Sequence, residues 1–280
     1  DALPTLDMLR VMNTADQEVA LAVERELAHI AQAVDAVARR LEAGGRLFYT
    51  GAGTSGRLGV LDASECPPTF NTPSELVQGI IAGGDRALRH SIEKAEDDPE
   101  QGKRDLADRN LGSTDALVGI AASGRTPYVL GGLAYARQLG ALTIGLSCTP
   151  NSEVARVAEI AITPVPGPEV VTGSTRLRAG TATKLVLNML STGVMVRLGY
   201  VYGNLMVNVQ PTNEKLVDRA RRIIVKVAGV SYEEAARLLN AAGSVRTAIV
   251  MHKCNLPRSQ AEAKLTGAKG RLRVALGEKL

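Results

Sequence analysis

The chain has 280 residues, of which 45% are hydrophobic and 22% charged, and this suits one large α/β domain plus a smaller unit. Aromatic residues make up only 3% and the net charge is a mild +4, so base stacking and nucleic-acid binding are not expected. The most apolar long stretch, residues 185–196, is too short to cross a bilayer, and we predict no membrane contact. Three scattered cysteines and three histidines without ligand spacing predict reduced thiols in a cytoplasmic protein without a metal site.

Along the chain, a long helix at residues 6–41 is predicted first, from apolar residues at helical spacing. Short runs rich in Val, Ile, Leu and Ala then predict strands that are buried on both faces, at 46–50, 76–81, 116–121, 142–147 and 159–163. Helical patterns lie between these runs, at 55–64, 85–95, 128–139 and 152–157. The alternation predicts a three-layer αβα sandwich with a five-stranded parallel sheet, and ligands bind such sheets at the carboxyl ends of the strands.

The remainder of the chain reads as helical. An apolar helix is predicted at 179–198, and residues 204–213, with Pro211, look like the exit from a main domain that covers 1–210. A capping box at 231–234 opens a helix that runs to 239, and Gly243 ends it. Two more helices, at 245–253 and from Pro257, complete a predicted three-helix bundle at 211–280 that resembles the ubiquitin-associated fold. The chain begins at Asp1 without a Met, so we expect that an N-terminal piece is missing.

A glycine-rich turn at residues 51–56 (GAGTSG) follows the first predicted strand and opens a helix. Free N–H groups at a helix start, together with two hydroxyls, suit a bound phosphate. The same pattern could be a simple βα turn or a dinucleotide fingerprint, but the second predicted strand runs into 82–84 (AGG), which lacks a ribose-binding carboxylate. A single phosphate is favoured, with candidate ligands Thr54, Ser55 and Gly56.

A second turn, at residues 121–127 (AASGRTP), follows the third predicted strand in the same way. It offers hydroxyls, a glycine and a proline that suits a first helical turn. Because both turns end buried strands of one sheet, we predict that they share one phosphate rather than serve as turns alone. The candidate ligands here are Ser123, Gly124 and Thr126.

The two turns are similar to those of the sugar-isomerase (SIS) domain, which binds phosphosugars. Three longer strings resemble the N-acetylmuramic acid 6-phosphate etherase family, namely 51–69 (GAGTSGRLG with DASECPPT), 170–184 (VVTGSTR with AGTATK) and 203–216 (GNLMV with TNEKL). The resemblance covers nearly the whole chain, but the segment that this family carries before its Leu-rich opening is missing. It implies a homodimer whose site is completed across the interface.

Two glutamates match the catalytic acids of this family. Glu65 stands at the far end of the helix after the first turn and before a Cys66-Pro67-Pro68 turn, although a lone loop glutamate is usually solvated surface. Glu96 lies in an acidic cluster at a predicted helix end, where the helix dipole disfavours carboxylates. The resemblance, and not the pattern, singles out Glu96 from its acidic neighbours.

Three further residues have open roles. His90 could open the sugar ring, but it is about equally well interpreted as an exposed histidine on a surface helix without a catalytic role. Arg178 and Lys184 could balance the phosphate or the lactyl carboxylate, or pair with acids in a subunit interface. The apolar stretch 185–196 is interpreted as buried core or dimer contact.

The resemblance implies a substrate with a D-lactyl ether at C3 of a 6-phosphosugar. Ring opening exposes an aldehyde, which acidifies the C2 proton without a metal or organic cofactor. Glu96 is expected to take that proton, and Glu65 is expected to protonate the departing ether oxygen through a raised pKa. A phosphosugar isomerase and a non-enzymatic phosphosugar sensor are the alternative functions.

Overall fold

The structure is a computed structural model that describes residues 1–210 and 213–278, except for the side chain of Glu93. The chain divides into two compact units. The first contains Asp1–Glu65 with Pro73–Val194, and the second contains Cys66–Thr72 with Met195–Leu280.

A parallel sheet of five strands forms the centre of the first unit, as predicted. The strands are β1 (Leu47–Gly51), β2 (Val77–Ile81), β3 (Ala116–Ile120), β4 (Leu142–Leu146) and β5 (Ile160–Ile162), in the order β2-β1-β3-β4-β5. In this register Gly51 lies beside both Ile81 and Ile120. The loops that leave β1, β2 and β3 therefore start at the same edge of the sheet, which is where parallel sheets bind ligands.

Helices cover both faces of this sheet, which confirms the three-layer αβα sandwich. They are α1 (Thr5–Glu24), α2 (Leu27–Glu42), α3 (Gly53–Phe70), α4 (Pro99–Ala107), α5 (Pro127–Gln138), α6 (Glu153–Val157) and α7 (Arg178–Arg197). Helix α3 lies unusually close to β2, since a Cβ atom on Gly79 would be 2.5 Å from Val60 Cα. The apolar stretch of α7 is mostly core, with Val186, Leu187, Leu190 and Val194 buried.

The prediction of one helix at 6–41 was wrong, because the chain breaks between α1 and α2 at Arg25 and Glu26. Neither residue is a helix breaker. The Glu26 carboxylate instead accepts a hydrogen bond from the N–H of Thr163, just after β5, at 2.9 Å. A tertiary contact with a distant part of the chain thus sets the break, and local pattern does not reveal it.

The helix predicted at 85–95 was also wrong. The structure has two short 3₁₀ helices, Asp85–Leu88 and Glu93–Asp97, after a turn in which Gly83 and Gly84 have φ angles of +86° and +67°. Helix α4, which was not predicted, follows with Asp98 as its N-cap and Pro99 at its start. The acidic cluster therefore precedes a helix start, where the dipole favours carboxylates.

The Cys-Pro-Pro turn was a third incorrect expectation, because α3 continues through Pro67 and Pro68 to Phe70. The two prolines cost the helix two backbone hydrogen bonds but do not end it. Asn71, with a φ angle of +55°, donates to the carbonyl of Pro67 at 2.8 Å and ends the helix instead. Glu65 consequently lies within a helix and not in a loop.

The second unit is helical, with α8 (Glu214–Ala228), α9 (Tyr232–Ala242), α10 (Val245–Cys254), α11 (Arg258–Gly267) and α12 (Leu272–Ala275). The three predicted helices are confirmed as α9, α10 and α11, whereas α8 and α12 were not predicted. Ser231 caps α9 by accepting from the N–H of Glu234, and Gly243 ends it in a left-handed conformation. The predicted domain exit includes Pro211, which lies outside the described residues.

None of the helices in the described parts of the chain combines the length and the apolar character that a bilayer crossing requires. The three cysteines are free thiols, and burial raises the pKa of Cys148 to about 11.

Candidate active site

A pocket of about 650 Å³ opens at the carboxyl edge of β1 and β3. Its walls come from four segments, namely the start of α3, the 3₁₀ helix at 93–97, the loop after β3 and the loop before α7. The polar lining residues are Thr54, Ser55, Glu96, Asp97, Ser123, Arg125, Thr126 and Thr175. The hydroxyls of both predicted phosphate turns thus line one pocket.

The first wall of the pocket is the N-terminal turn of α3. Gly53 enters the helix with a φ angle of +53°, which suits glycine, and Thr54 and Ser55 follow it into the pocket lining. The first N–H groups of a helix have no partner within the helix, and they carry the positive end of its dipole. Such a helix start suits an anion such as phosphate.

The loop after β3 forms the second wall. Gly124 turns the chain with a φ angle of +68°, and a Cβ atom there would be 2.1 Å from Ser152 Cβ. Ser152 itself is held by a 2.9 Å hydrogen bond between its hydroxyl and that of Ser147. This tight packing places Ser123 and Thr126 at the pocket, with α5 starting directly behind them.

Gly56 and Gly124 were predicted as phosphate ligands, but neither is among the residues that line the pocket. The N–H of Gly56 donates to Ala52 O at 3.2 Å, and that of Gly124 donates to Ala121 O at 2.8 Å. A Cβ atom on Gly56 would also lie 2.6 Å from Gly51 O. Both glycines allow close packing that shapes the turns.

Glu96 lines the pocket beside Asp97, at the end of the second 3₁₀ helix. It is exposed in the single chain. It also borders a smaller cavity of about 80 Å³, which Arg57, Ser91 and Ile92 line as well. A carboxylate is thus available beside the hydroxyls that would hold a phosphate.

Glu65 is not among the lining residues and is exposed. It lies twelve residues after Gly53 on α3, which is roughly 18 Å along the helix axis. This separation exceeds the reach of a glutamate side chain. Within one chain, the structure therefore does not bring Glu65 and Glu96 to one site.

Asp62, one turn before Glu65, is a buried carboxyl that the sequence did not reveal as special. Its oxygens accept hydrogen bonds from Tyr49 Oη at 2.9 Å, Asn188 Nδ2 at 2.6 Å and Ser191 Oγ at 3.2 Å. Burial raises the pKa of Asp62 above its ordinary 3.8, although these hydrogen bonds and Lys184 oppose the shift. The carboxyl ties α3 to β1 and α7.

The three residues with open roles lie outside the pocket lining. His90 is exposed between the two 3₁₀ helices, and Lys184 is exposed on α7. Arg178 is buried and donates from Nη1 to Pro168 O at 3.0 Å. Its backbone N–H donates to the Glu169 carboxylate at 2.9 Å, so it belongs to the start of α7.

The lining residues that sequence reasoning did not select include Arg125, Gly173 and Thr175. Arg125 brings a positive charge, and the other two lie in the 170–176 string. A signal was present, because residues 172–175 (TGST) repeat the hydroxyl–glycine composition of the two predicted turns. Within the described residues there is no cluster of three or more His, Cys, Asp or Glu side chains that could hold a metal.

The fold has known counterparts. A phosphoheptose isomerase from Francisella tularensis superposes with a TM-score of 0.54 at 18% identity, over 69% of this chain and 100% of that one. A phosphoheptose isomerase from Neisseria gonorrhoeae gives 0.53 at 15% identity, over 68% and 98%. Residues 29–137 match the model of the glucokinase regulatory protein N-terminal SIS domain. The chain thus contains an α/β domain of the SIS class.

Closer relatives narrow this class to one family. The N-acetylmuramic acid 6-phosphate etherase of Clostridium beijerinckii is 56% identical over 99% of this chain and 92% of its own length. The etherases of Rhizobium rhizogenes and Vibrio vulnificus are also 56% identical, over 100% of this chain and 91% and 93% of theirs. The chain belongs to the N-acetylmuramic acid 6-phosphate etherase family.

Proposed function

We propose that this protein is a carbon–oxygen lyase that cleaves the D-lactyl ether of N-acetylmuramic acid 6-phosphate. The products are N-acetylglucosamine 6-phosphate and D-lactate, as in the recycling of cell-wall amino sugars. The observation that carries the proposal is 56% identity, over nearly the full length of both chains, to proteins named for this activity.

The pocket supports binding of the 6-phosphate. Thr54 and Ser55 stand at the start of α3, and Ser123 and Thr126 stand at the start of α5, so two helix N-termini and four hydroxyls surround one volume. Such a site stabilises a dianion without a metal. Arg125 is available for the phosphate or for the lactyl carboxylate.

The chemistry follows from the substrate. Once the sugar ring opens, the C1 aldehyde acidifies the C2 proton. Loss of this proton forms a C2–C3 double bond and breaks the C3–O bond, whose electron pair leaves with the lactyl oxygen. Water then adds, with oxygen at C3 and a proton at C2. The reaction needs one general base and one general acid, each of which typically contributes 10²- to 10⁴-fold.

Glu96 is the base at C2, because it lines the pocket beside the phosphate-binding hydroxyls. Glu65 is the acid that protonates the departing oxygen and later activates water. Since Glu65 of the same chain is too far along α3, the acid comes from a second copy of the protein. The site is then complete only in a homodimer.

A homodimer also accounts for the surface of α1. The first part of this helix has exposed apolar side chains, with Leu6 at 60% and Leu9 at 51% of full exposure, and Met8 and Val11 are exposed too. Several exposed apolar side chains on one helix are typical of a protein interface. A cytoplasmic location fits the free thiols.

The test is to incubate the purified protein with N-acetylmuramic acid 6-phosphate and to assay D-lactate. Release of D-lactate together with N-acetylglucosamine 6-phosphate is the expected result, and Glu96→Gln should lower the rate by about 10²- to 10⁴-fold. An isomerase would interconvert the sugar without lactate. A sensor would bind it unchanged. Either of the last two results would contradict the proposal.

A further inference from the structure

We infer that Arg57 is a positioning residue that holds the segment carrying Glu96 against the phosphate-binding helix. This inference rests on the proposed function, since it concerns the base of that reaction. Arg57 lies on α3, four residues after Gly53.

The guanidinium of Arg57 donates to three backbone carbonyls of one short segment. Nη2 donates to Ala87 O at 2.6 Å and to His90 O at 3.3 Å, and Nε donates to Leu88 O at 3.1 Å. The planar fork of arginine suits several acceptors at once, and lysine cannot reproduce this arrangement. These carbonyls face a side chain from another element, which also explains why no regular helix forms at 85–95.

The clamped segment leads directly to Glu96. Ser91, Ile92 and Glu96 border the same small cavity as Arg57, and Glu96 borders the large pocket on its other side. The segment departs from β2 through Gly83 and Gly84, whose left-handed conformations provide little restraint of their own. Arg57 therefore connects the helix that holds the phosphate to the segment that holds the base.

An arginine one turn into a phosphate-binding helix could instead bind the phosphate itself. Arg57 is not among the residues that line the large pocket. Its guanidinium is also occupied by carbonyls on the side of the small cavity. The geometry thus favours a positioning role, and the two roles differ in what they predict for kcat and KM.

The experiment compares Arg57→Lys with Arg46→Lys in the full-length protein. Arg46 is the control, because its guanidinium also donates to two backbone carbonyls, Arg109 O at 3.1 Å and Asn110 O at 2.7 Å, but beside the opposite end of β1. Unlike Arg57, it also pairs with the buried carboxylate of Asp115 at 2.8 Å. For each variant we would measure kcat and KM for D-lactate release, solvent exchange of the C2 proton, thermal unfolding, and trypsin cleavage after Arg86, Arg89 and Lys94.

In Arg57→Lys, C2 exchange and lactate release should fall together by about 10- to 100-fold, since a small displacement of a catalytic group can cost that much. KM should change by less than about threefold, because the phosphate contacts remain. Trypsin should cut the 85–97 segment faster than in the wild type. Arg46→Lys should lower thermal stability without any of these three effects.

Wild-type rates in Arg57→Lys would overturn the inference, and so would a higher KM at unchanged kcat, which indicates a phosphate ligand. Equal losses of C2-proton exchange in both variants would mean that Arg57 contributes only to the general stability of the protein. If Arg57→Lys does not fold, Arg57→Gln, which keeps two neutral N–H donors, is put to the same measurements. Lactate release by the wild type is measured first, so that failure of the proposed function is separated from failure of this inference.

Discussion

Two kinds of side chain are important in this protein, namely the buried carboxyl of Asp62 and the hydroxyls that line the pocket. Asp62 is only 6% exposed, and its carboxylate accepts hydrogen bonds from three side chains. Buried polar groups remain tolerable when they are fully hydrogen-bonded, and removal of one partner leaves the full desolvation cost. Asp62 thus belongs to the framework that orients α3, and neither its spacing nor its neighbours in the sequence reveal this.

Asp62→Asn should change how stability depends on pH. The pKa of Asp62 in the folded state is raised above 3.8, so its favourable contribution is complete below pH 3.8 and is lost as pH rises through the folded-state pKa. The unfolding free energy of the wild type minus that of Asp62→Asn should therefore decline as pH rises from below 3.8 toward neutrality. Urea unfolding at a series of pH values measures this difference, and a difference that grows with pH would refute the assignment.

Ser55→Ala should weaken substrate binding. A hydrogen bond to a charged group contributes about 1.5–3 kcal/mol, so KM should rise by about 10- to 100-fold while kcat changes less. Ser113→Ala is the control, because Ser113 is exposed at the opposite edge of the sheet, just before β3. Steady-state kinetics of D-lactate release provides both constants. An unchanged KM for Ser55→Ala would mean that the start of α3 does not bind the phosphate.

The sequence predicts those secondary-structure elements whose formation depends mainly on residues that are near one another in the chain. The five strands, the sheet and the two phosphate turns were predicted because buried parallel strands and glycine turns have strong local signatures. The break at Arg25, the 3₁₀ helices after β2 and the helical course through Pro67 depend on other parts of the chain. Arg57, for example, lies 30 to 33 residues before the three carbonyls that accept its hydrogen bonds and on another element, so a prediction based on residues 85–95 alone does not include it.

The close contact between α3 and β2 provides a test at this scale. Gly79→Ala should destabilise the protein by about 2–3 kcal/mol, because its Cβ would meet backbone atoms of Val60 at 2.5 Å and overpacking of this kind is costly. Gly112→Ala, which would meet only Asp115 Oδ2 at 3.9 Å, should be nearly neutral. Calorimetric unfolding compares the two. Equal effects would mean that the packing of α3 does not depend on this glycine.

We propose that the whole molecule acts as a dimer. The resemblance named both glutamates, and the sequence pattern placed Glu65 at the far end of the helix after the first turn. The structure shows that this helix runs on to Phe70 and that Glu65 lies roughly 18 Å along its axis from Gly53. The exposure of Leu6, Met8, Leu9 and Val11 on α1 was likewise not evident from a pattern that is typical of an ordinary amphipathic helix. The homodimer was implied by the resemblance, whereas composition and residue spacing did not predict it.

Leu6→Glu combined with Leu9→Glu should convert the proposed dimer to monomers, because each chain would then place two charges in the proposed apolar interface. Leu139→Glu is the control, an exposed leucine at the end of α5 that is 36% exposed. Sedimentation velocity gives the mass of each variant, and D-lactate release should be lost only in the α1 variant. A wild type that sediments as a monomer with full activity would contradict this expectation.

Mixing two inactive variants shows whether Glu65 and Glu96 act together across a dimer. Glu65→Gln and Glu96→Gln should each lack lactate release, whereas Glu65→Gln should still exchange the C2 proton with solvent. When the two variants are unfolded, mixed in equal amounts and refolded, hybrid dimers contain one site with both glutamates intact, and lactate release should return to about a quarter of the wild-type rate. If the mixture stays inactive while refolded wild type recovers, the two carboxyl groups do not act together across a dimer.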